Sequence, residues 1–236
     1  ITRYFSNNTF KIKNNFTFYL WADAEKSIGL GHLNRIRFLS QCLLANNSNF
    51  EIFTKFNSLS KTLVKKKVVF LSNSIKFFVK HMKIPLEFKK GEGKKILFID
   101  SYYLSKKYIT MLKLNNFKVV YFNDFKKNIS ADLNICLGSY TKKKNFLSGF
   151  NYIPLSKDYL KSKTNKLNKN TALITFGALD HYNLSVKLVE ILLKYKLQLI
   201  VIIGKYYNSK IYQQLLKKKS KKIKLMKQPT NLYKYL

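Results

Sequence analysis

The sequence predicts an α/β protein built on a parallel, doubly wound sheet. Short apolar segments typical of strands alternate with segments whose apolar residues recur at helical spacing. Because parallel strands need crossover connections, this alternation favours strands linked through helices. Polar residues directly follow several of these strands, at the sheet edge where ligands bind in such folds.

The first strand and the first helix are the clearest of these elements. Residues 16–21 are apolar and aromatic, which indicates a buried strand. A glycine-containing loop follows, and then a helix is predicted from about His32 to Ala45. Its apolar face is formed by Leu33, Ile36, Leu39 and Leu43.

Further strands are predicted in the first half of the chain, and two of them lead to acidic residues. The segments are 50–53, 68–71, 96–99 and 118–122, with a helix at 106–114. Asp100 directly follows the third of these strands, and Asp124 lies just beyond the fourth. In a parallel sheet, Gly31, His32, Asp100 and Asp124 therefore fall on one edge.

A second domain is predicted after a linker. Residues 157–170 are rich in Lys, Asn and Ser and separate a domain at 16–156 from one at 171–236. The strand and helix pattern restarts in the second domain, with strands at 172–176, 197–203 and 223–226 and helices at 183–195 and 207–218. We expect this domain to be incomplete, because a domain of this class needs roughly 100 residues or more.

The formal net charge of +34 raises the question of nucleic-acid binding. Only three of the 45 basic residues are Arg, whereas phosphate and base recognition normally also uses the bidentate Arg fork. The chain is also rich in Asn, Ile, Phe and Tyr, a composition typical of AT-rich codons. We interpret the Lys excess mainly as codon usage, and a basic nucleic-acid-binding protein is kept as the non-enzymatic alternative.

The sequence also indicates where in the cell the protein is expected to reside. No apolar run approaches the roughly 18–20 residues that span a bilayer. Cys42 and Cys136 are too few and too far apart for a disulfide framework or a zinc site. We therefore expect a cytoplasmic protein with no membrane partner.

The segment from Asp23 to Arg35 carries the strongest candidate site. Gly29 and Gly31 allow a tight turn and a close approach of the backbone to a ligand, and the following helix directs free amides towards it. The positive end of the helix favours the neutral form of His32, which is the form that a general base needs. A turn with a capping His is the structural alternative.

The spacing Asp-Ala-(x)3-Ile-Gly-x-Gly-His-(x)2-Arg resembles a known signature. It is similar to the N-terminal motif of the UDP-2,4-diacetamido-2,4,6-trideoxy-β-L-altropyranose hydrolases of pseudaminic-acid biosynthesis and of related spore-coat polysaccharide proteins. The resemblance continues in order along the chain, at residues 98–104, 123–124, 131–133, 149–155 and 176–183.

This resemblance implies two Rossmann-like domains that face each other across a cleft, as in B-type glycosyltransferases. It implies hydrolysis of a UDP-sugar at the anomeric carbon by direct attack of water, with inversion and release of UDP. Neither a cofactor nor a metal ion is implied, and the sequence shows no acidic cluster suited to Mg²⁺. The expected partner is the UDP-sugar, and we expect a monomer.

The resemblance also implies roles for individual residues. His32 is the expected base, and Tyr102 is expected to bond the sugar or the water. Asp23 is expected to orient either the loop or a sugar group. The remaining expected substrate-binding positions are Gly29, Gly31, Arg35, Asp100, Asp180 and Asn183.

The chain departs from the family pattern at several positions. Trp21 stands where Arg is usual, Glu25 replaces Ser, Cys136 replaces Asn, Ala178 replaces Gly and Ser156 replaces Arg. The chain also ends before the Ser-rich loop and the Asn-Glu helix with which the family binds UDP. A glycosyltransferase of the same fold and an inactive truncated remnant are therefore kept as alternatives.

Overall fold

A computed structural model of the chain describes residues 16–25, 28–61, 67–89, 93–125, 127–138, 140–155, 170–218, 220–227 and 232. The chain forms two compact units, Ile1–Leu155 and Ser156–Leu236. Of the predicted linker at 157–170, all but Asn170 lies outside the described residues. A parallel sheet with helices between its strands is present in each unit, so the predicted α/β class is confirmed.

The sheet of the first unit contains seven parallel strands within the ranges that the structure describes. They are β1 (Phe16–Ala22), β2 (Asn49–Lys55), β3 (Val68–Leu71), β4 (Lys94–Asp100), β5 (Phe117–Phe122), β6 (Leu133–Cys136) and β7 (Phe146–Ser148). Their order is β3-β2-β1-β4-β5-β6-β7. The strand order reverses between β1 and β4, and ligands of doubly wound sheets bind outside the carboxyl ends of the strands at such a point.

In the described part of this unit, four α-helices accompany these strands: α1 (Gly31–Ala45), α2 (Ser58–Lys61), α3 (Ile75–Lys80) and α4 (Lys106–Leu114). Two 3-10 turns are found at Leu86–Lys89 and Phe150–Tyr152. Ser105 caps α4, since its hydroxyl accepts a hydrogen bond from the amide of Tyr108 at 3.2 Å. The first strand and the helices predicted from His32 and at 106–114 agree with β1, α1 and α4.

An aromatic core covers one face of this sheet. Tyr19 and Trp21 are two positions apart along β1, so their side chains point to the same face of the sheet, and both are fully buried. The Trp21 ring lies 4.9 Å from that of Phe88 and 5.7 Å from that of Phe78. Trp21, which stands where the resembling family has Arg, is therefore a core residue in this chain.

Among its described residues, the second unit contains three parallel strands: β8 (Thr171–Ile174), β9 (Gln198–Ile203) and β10 (Ile223–Lys227). Helices α5 (Leu184–Leu192) and α6 (Ser209–Lys217) connect them, and the order is β10-β9-β8. This order repeats that of β3-β2-β1 in the first unit. None of the helices in the described part of the chain combines the length and hydropathy needed to cross a membrane.

Candidate active site

The fold brings two distant segments together at the point where the strand order reverses. Strands β1 and β4 are paired in register, with Ala22 opposite Asp100. Asp100 is the last residue of β4, and His32 is the second residue of α1, which follows β1. Because the carboxyl ends of parallel strands share one edge, both side chains reach the same place.

His32 and Asp100 form a buried pair. Nδ1 of His32 and Oδ1 of Asp100 are in close hydrogen-bonding contact. Only 2% of His32 and 1% of Asp100 are exposed to solvent. An ionised carboxylate only accepts hydrogen bonds, so this contact places the proton of a neutral imidazole on Nδ1 and leaves Nε2 as the acceptor.

Arg35 lies one turn further along α1 and binds two carboxylates. Its Nε lies 2.7 Å from Oδ2 of Asp100, and its Nη2 donates to Oδ1 of Asp100 at 2.8 Å. Its Nη1 donates to Oδ2 of Asp124 at 2.6 Å. Burial lowers the pKa of Arg35, but the two carboxylates outweigh burial and hold this pKa above its ordinary value.

The close approach of Arg35 to His32 is not a hydrogen bond. Nη2 of Arg35 lies 3.1 Å from Nδ1 of His32, but both atoms also lie close to Oδ1 of Asp100. A guanidinium carries only donors, and Nδ1 is protonated when it bonds a carboxylate. Two donors, Nδ1 of His32 and Nη2 of Arg35, therefore converge on Oδ1 of Asp100, which accepts a hydrogen bond from each.

Aromatic residues lie on the other side of the imidazole. The ring of Tyr102 meets that of His32 edge to face, with centroids 4.4 Å apart. Phe125 in turn lies against Tyr102 at 5.0 Å. Burial raises the pKa of Tyr102 above its ordinary value. Lys127 fixes the loop after β4, because its Nζ donates to the backbone carbonyl of Tyr102.

The glycine loop leaves open space at the start of α1. Gly29 has φ +75°, and its amide donates to the carbonyl of Glu25 at 2.7 Å, which closes a tight turn. A side chain at Gly31 would meet no heavy atom within 4 Å. Helix α1 begins without a side-chain cap and without an acidic residue in its first turn. Its first amides are therefore suited to an anion.

Asp23 contacts the backbone rather than the imidazole. Its Oδ1 accepts from the amide of Lys55 at 3.1 Å, and its Oδ2 accepts from the amide of Ile75 at 2.5 Å. Asp23 is 3% exposed, and burial raises the pKa of its carboxyl to about 6. These contacts join the residue after β1 to β2 and α3.

Asp180 and Asn183 lie in the second unit, where they shape the start of α5. The carboxylate of Asp180 accepts from the amides of Leu184 at 2.8 Å and Ser185 at 3.0 Å, and the hydroxyl of Ser185 also donates to it. Asn183 precedes the helix with φ +54°. Asp180 thus occupies the helix amides that an anionic ligand would use.

Two contacts in the first unit were not anticipated from the sequence. The sequence placed Asp124 at the strand edge without naming a partner, and the structure pairs it with Arg35. Phe125 belongs to none of the sequence motifs. The only feature of the sequence that points to Phe125 is its position directly after Asp124, the acidic residue beyond the end of a strand.

Among the described residues, no group of three or more His, Cys, Asp and Glu side chains is suited to a metal ion.

No family model matches the chain, and no curated protein matches it in sequence. Solved structures match the course of its backbone. One is a co-structure of S. aureus MnaA with UDP, at 11% identity and a TM-score of 0.46, covering 94% of this chain and 70% of that chain. Another is a Listeria monocytogenes protein assigned as a UDP-N-acetylglucosamine 2-epimerase, at 8% identity and a TM-score of 0.46, covering 94% and 71%. Likenesses this distant do not bear on the reaction of this chain.

Proposed function

We propose that this chain acts on a UDP-linked sugar, and that it hydrolyses a UDP-linked 2,4-diacetamido-2,4,6-trideoxy sugar at the anomeric carbon. The ordered motifs resemble those of the hydrolases with this activity. The observation that carries the proposal is the buried pair of His32 and Asp100 at the reversal of strand order. A His held by a carboxylate in this way is a recurrent form of general base.

His32 would activate the attacking water. Asp100 holds the proton on Nδ1, so Nε2 is free to take a proton from a water molecule. The water oxygen then forms a bond to the anomeric carbon, and the bond from that carbon to the phosphate oxygen breaks. The electron pair leaves with UDP, and the imidazolium formed at His32 is stabilised by Asp100.

The surroundings of His32 support this role. Since the imidazole is 2% exposed, a water bound at Nε2 would be shielded from the bulk. A shielded site strengthens the attraction between the imidazolium and Asp100 during proton transfer. Arg35 also donates to Asp100, which holds that carboxylate in place beside the imidazole.

The start of α1 would hold the diphosphate. Its uncapped amides and the positive end of the helix favour an anion. The open space beside Gly31 lets a ligand approach the backbone there. Charge that develops on the departing phosphate would be stabilised by the same groups.

The direct test is release of UDP by the full chain from this UDP-linked sugar, with the anomeric product followed by NMR. We expect UDP and the free inverted sugar without any added acceptor. His32→Ala and His32→Gln should lower the rate by roughly a hundredfold to ten-thousandfold while leaving the circular dichroism spectrum unchanged. Equal turnover by both variants would exclude His32 as the base. Strict dependence on a sugar acceptor would replace hydrolysis by glycosyl transfer.

A further inference from the structure

Two neighbouring aromatic side chains stand in solvent beside the proposed base. Tyr102 follows β4 and is 39% exposed, while Phe125 follows β5 and is 65% exposed. Their ring centroids lie 5.0 Å apart, and Tyr102 also contacts the ring of His32 at 4.4 Å. Single exposed aromatics are ordinary on protein surfaces, but here an apolar pair continues directly from the imidazole.

The loop that carries Phe125 is held firmly. Asn123 is fully buried, its Oδ1 accepts from the amide of Lys127 at 2.8 Å, and its Nδ2 donates to the carbonyl of Lys127 at 2.8 Å. Lys127 in turn donates from Nζ to the carbonyl of Tyr102, which ties the two loops together. Asp124, the residue before Phe125, is bound by Arg35. Hydrogen bonds therefore hold Asp124 and Lys127, on either side of the exposed Phe125.

We propose that Tyr102 and Phe125 form an aromatic wall that binds the apolar face of the sugar ring beside His32. This inference rests on the proposed function. The atom that water attacks belongs to the sugar. The part of the ligand that lies within reach of a wall touching His32 is therefore the sugar ring and not the uracil of UDP. Ligand sites commonly combine aromatic surfaces of this kind with a few polar groups.

The chemistry of the wall also selects among sugars. The ring of Phe125 offers no hydrogen bond to a ligand. A hydroxyl turned towards Phe125 would lose its bonds to water without replacement. A C–H or methyl group would instead bury apolar surface there. The wall therefore favours a sugar whose facing positions are deoxy or methyl.

Phe125→Ala tests the wall, with Phe56→Ala as its matched control. Phe56 is also an exposed aromatic that follows a strand of this sheet, is 56% exposed and pairs with Phe70 at 5.2 Å. We expect Phe125→Ala to raise KM for the deoxy UDP-sugar roughly tenfold, with kcat changed less than about threefold and UDP affinity unchanged. Phe125→Leu should recover part of the loss, and Phe56→Ala should behave as the unsubstituted chain.

A binding measurement separates this inference from the hydrolase proposal. Saturation-transfer NMR with the free 2,4-diacetamido-2,4,6-trideoxy sugar should show transfer to its ring C–H and methyl protons, and Phe125→Ala should abolish that transfer. If the chain releases no UDP but the transfer and its loss are seen, hydrolysis fails and the wall stands. The wall is wrong if the unsubstituted chain shows no transfer, or if Phe125→Ala leaves both transfer and KM unchanged.

Discussion

Asp100 accepts a hydrogen bond from Nδ1 of His32, although 68 positions separate the two residues in the sequence. The contact exists because β1 and β4 are neighbours in the sheet although two strands and three helices come between them in the chain. Both side chains are almost fully buried. If either were removed, the other would be left without a hydrogen-bond partner and without water to replace it.

Replacing Asp100 with Asn should disable the proposed base while preserving shape. The amide keeps the size of the carboxylate but removes the charge that stabilises an imidazolium. We expect Asp100→Asn to lower the rate of UDP release by about a hundredfold or more. The rate is to be measured beside Glu190→Gln, which removes a half-exposed carboxylate that pairs with Lys218 at 2.7 Å. A similar rate for both variants would argue against a catalytic role for the pair.

Replacing Arg35 with Lys should weaken the cluster through geometry rather than charge. One ammonium cannot lie against both oxygens of Asp100 and also reach Asp124 as the planar guanidinium does. We expect Arg35→Lys to lower the free energy of unfolding by about 2 kcal/mol, because the carboxylates of Asp100 and Asp124 lose donors.

Urea unfolding measures this loss, and Arg37→Lys serves as the control on the same helix. The guanidinium of Arg37 lies over the ring of Phe38, 5.2 Å from its centroid. A change below about 1 kcal/mol is expected there. Equal losses of unfolding free energy in the two variants would mean that the planar guanidinium of Arg35 is not needed to stabilise Asp100 and Asp124.

The sequence allowed the position of this site to be predicted, but not its contacts. The apolar run before Asp100 and the helical spacing after His32 place both residues at one sheet edge, because parallel strands share that edge. The pairing of Arg35 with Asp124 spans 89 positions and depends on side-chain directions that no local pattern encodes. Its discovery therefore required the structure.

Two strands of the first sheet escaped prediction for a related reason. Strand β6 carries the polar Asn134 inside its apolar run, and β7 has only three residues, so neither stands out from a loop. Their pairing with β5 and with each other, rather than their own sequence, defines them. The departure at Trp21 is likewise understood only from the packing of its ring against Phe88.

Asp23 should make stability depend on pH. Burial raises the pKa of its carboxyl from 3.8 to about 6, so the folded chain holds this proton more tightly than the unfolded chain does. The stability that protonated Asp23 contributes is thus fully present below about pH 3.8 and is lost as the pH rises through about 6. The total change corresponds to about 3 kcal/mol.

The comparison with Asp23→Asn isolates this effect from other carboxylates. The stability of the unsubstituted chain relative to the variant should fall between pH 4 and pH 7, when both are unfolded in urea at each pH. Asn at this position does not titrate, so any other group contributes equally to both chains. A difference that stays constant over this range would show that the carboxyl of Asp23 titrates normally.

Gly204 should be the least replaceable glycine of the second unit. It follows β9, and a Cβ at this position would lie 2.3 Å from the carbonyl oxygen of Gly177 and 2.7 Å from the carbonyl carbon of Ala178. These are backbone atoms of the loop after β8, so no side-chain rotation can relieve the overlap. The amide of Tyr206 also donates to the carbonyl of Ala178 at 2.9 Å, which fixes the same approach.

Gly204→Ala should therefore lower the free energy of unfolding by about 2–3 kcal/mol, the usual cost of forcing atoms into a packed region. Hydrogen exchange should show the loss in peptides covering β8 and β9. Gly138→Ala is the matched control, because a Cβ there would meet no heavy atom within 4 Å. Equal protection of β8 and β9 in the two variants would mean that the loops after these strands lie further apart than in this structure.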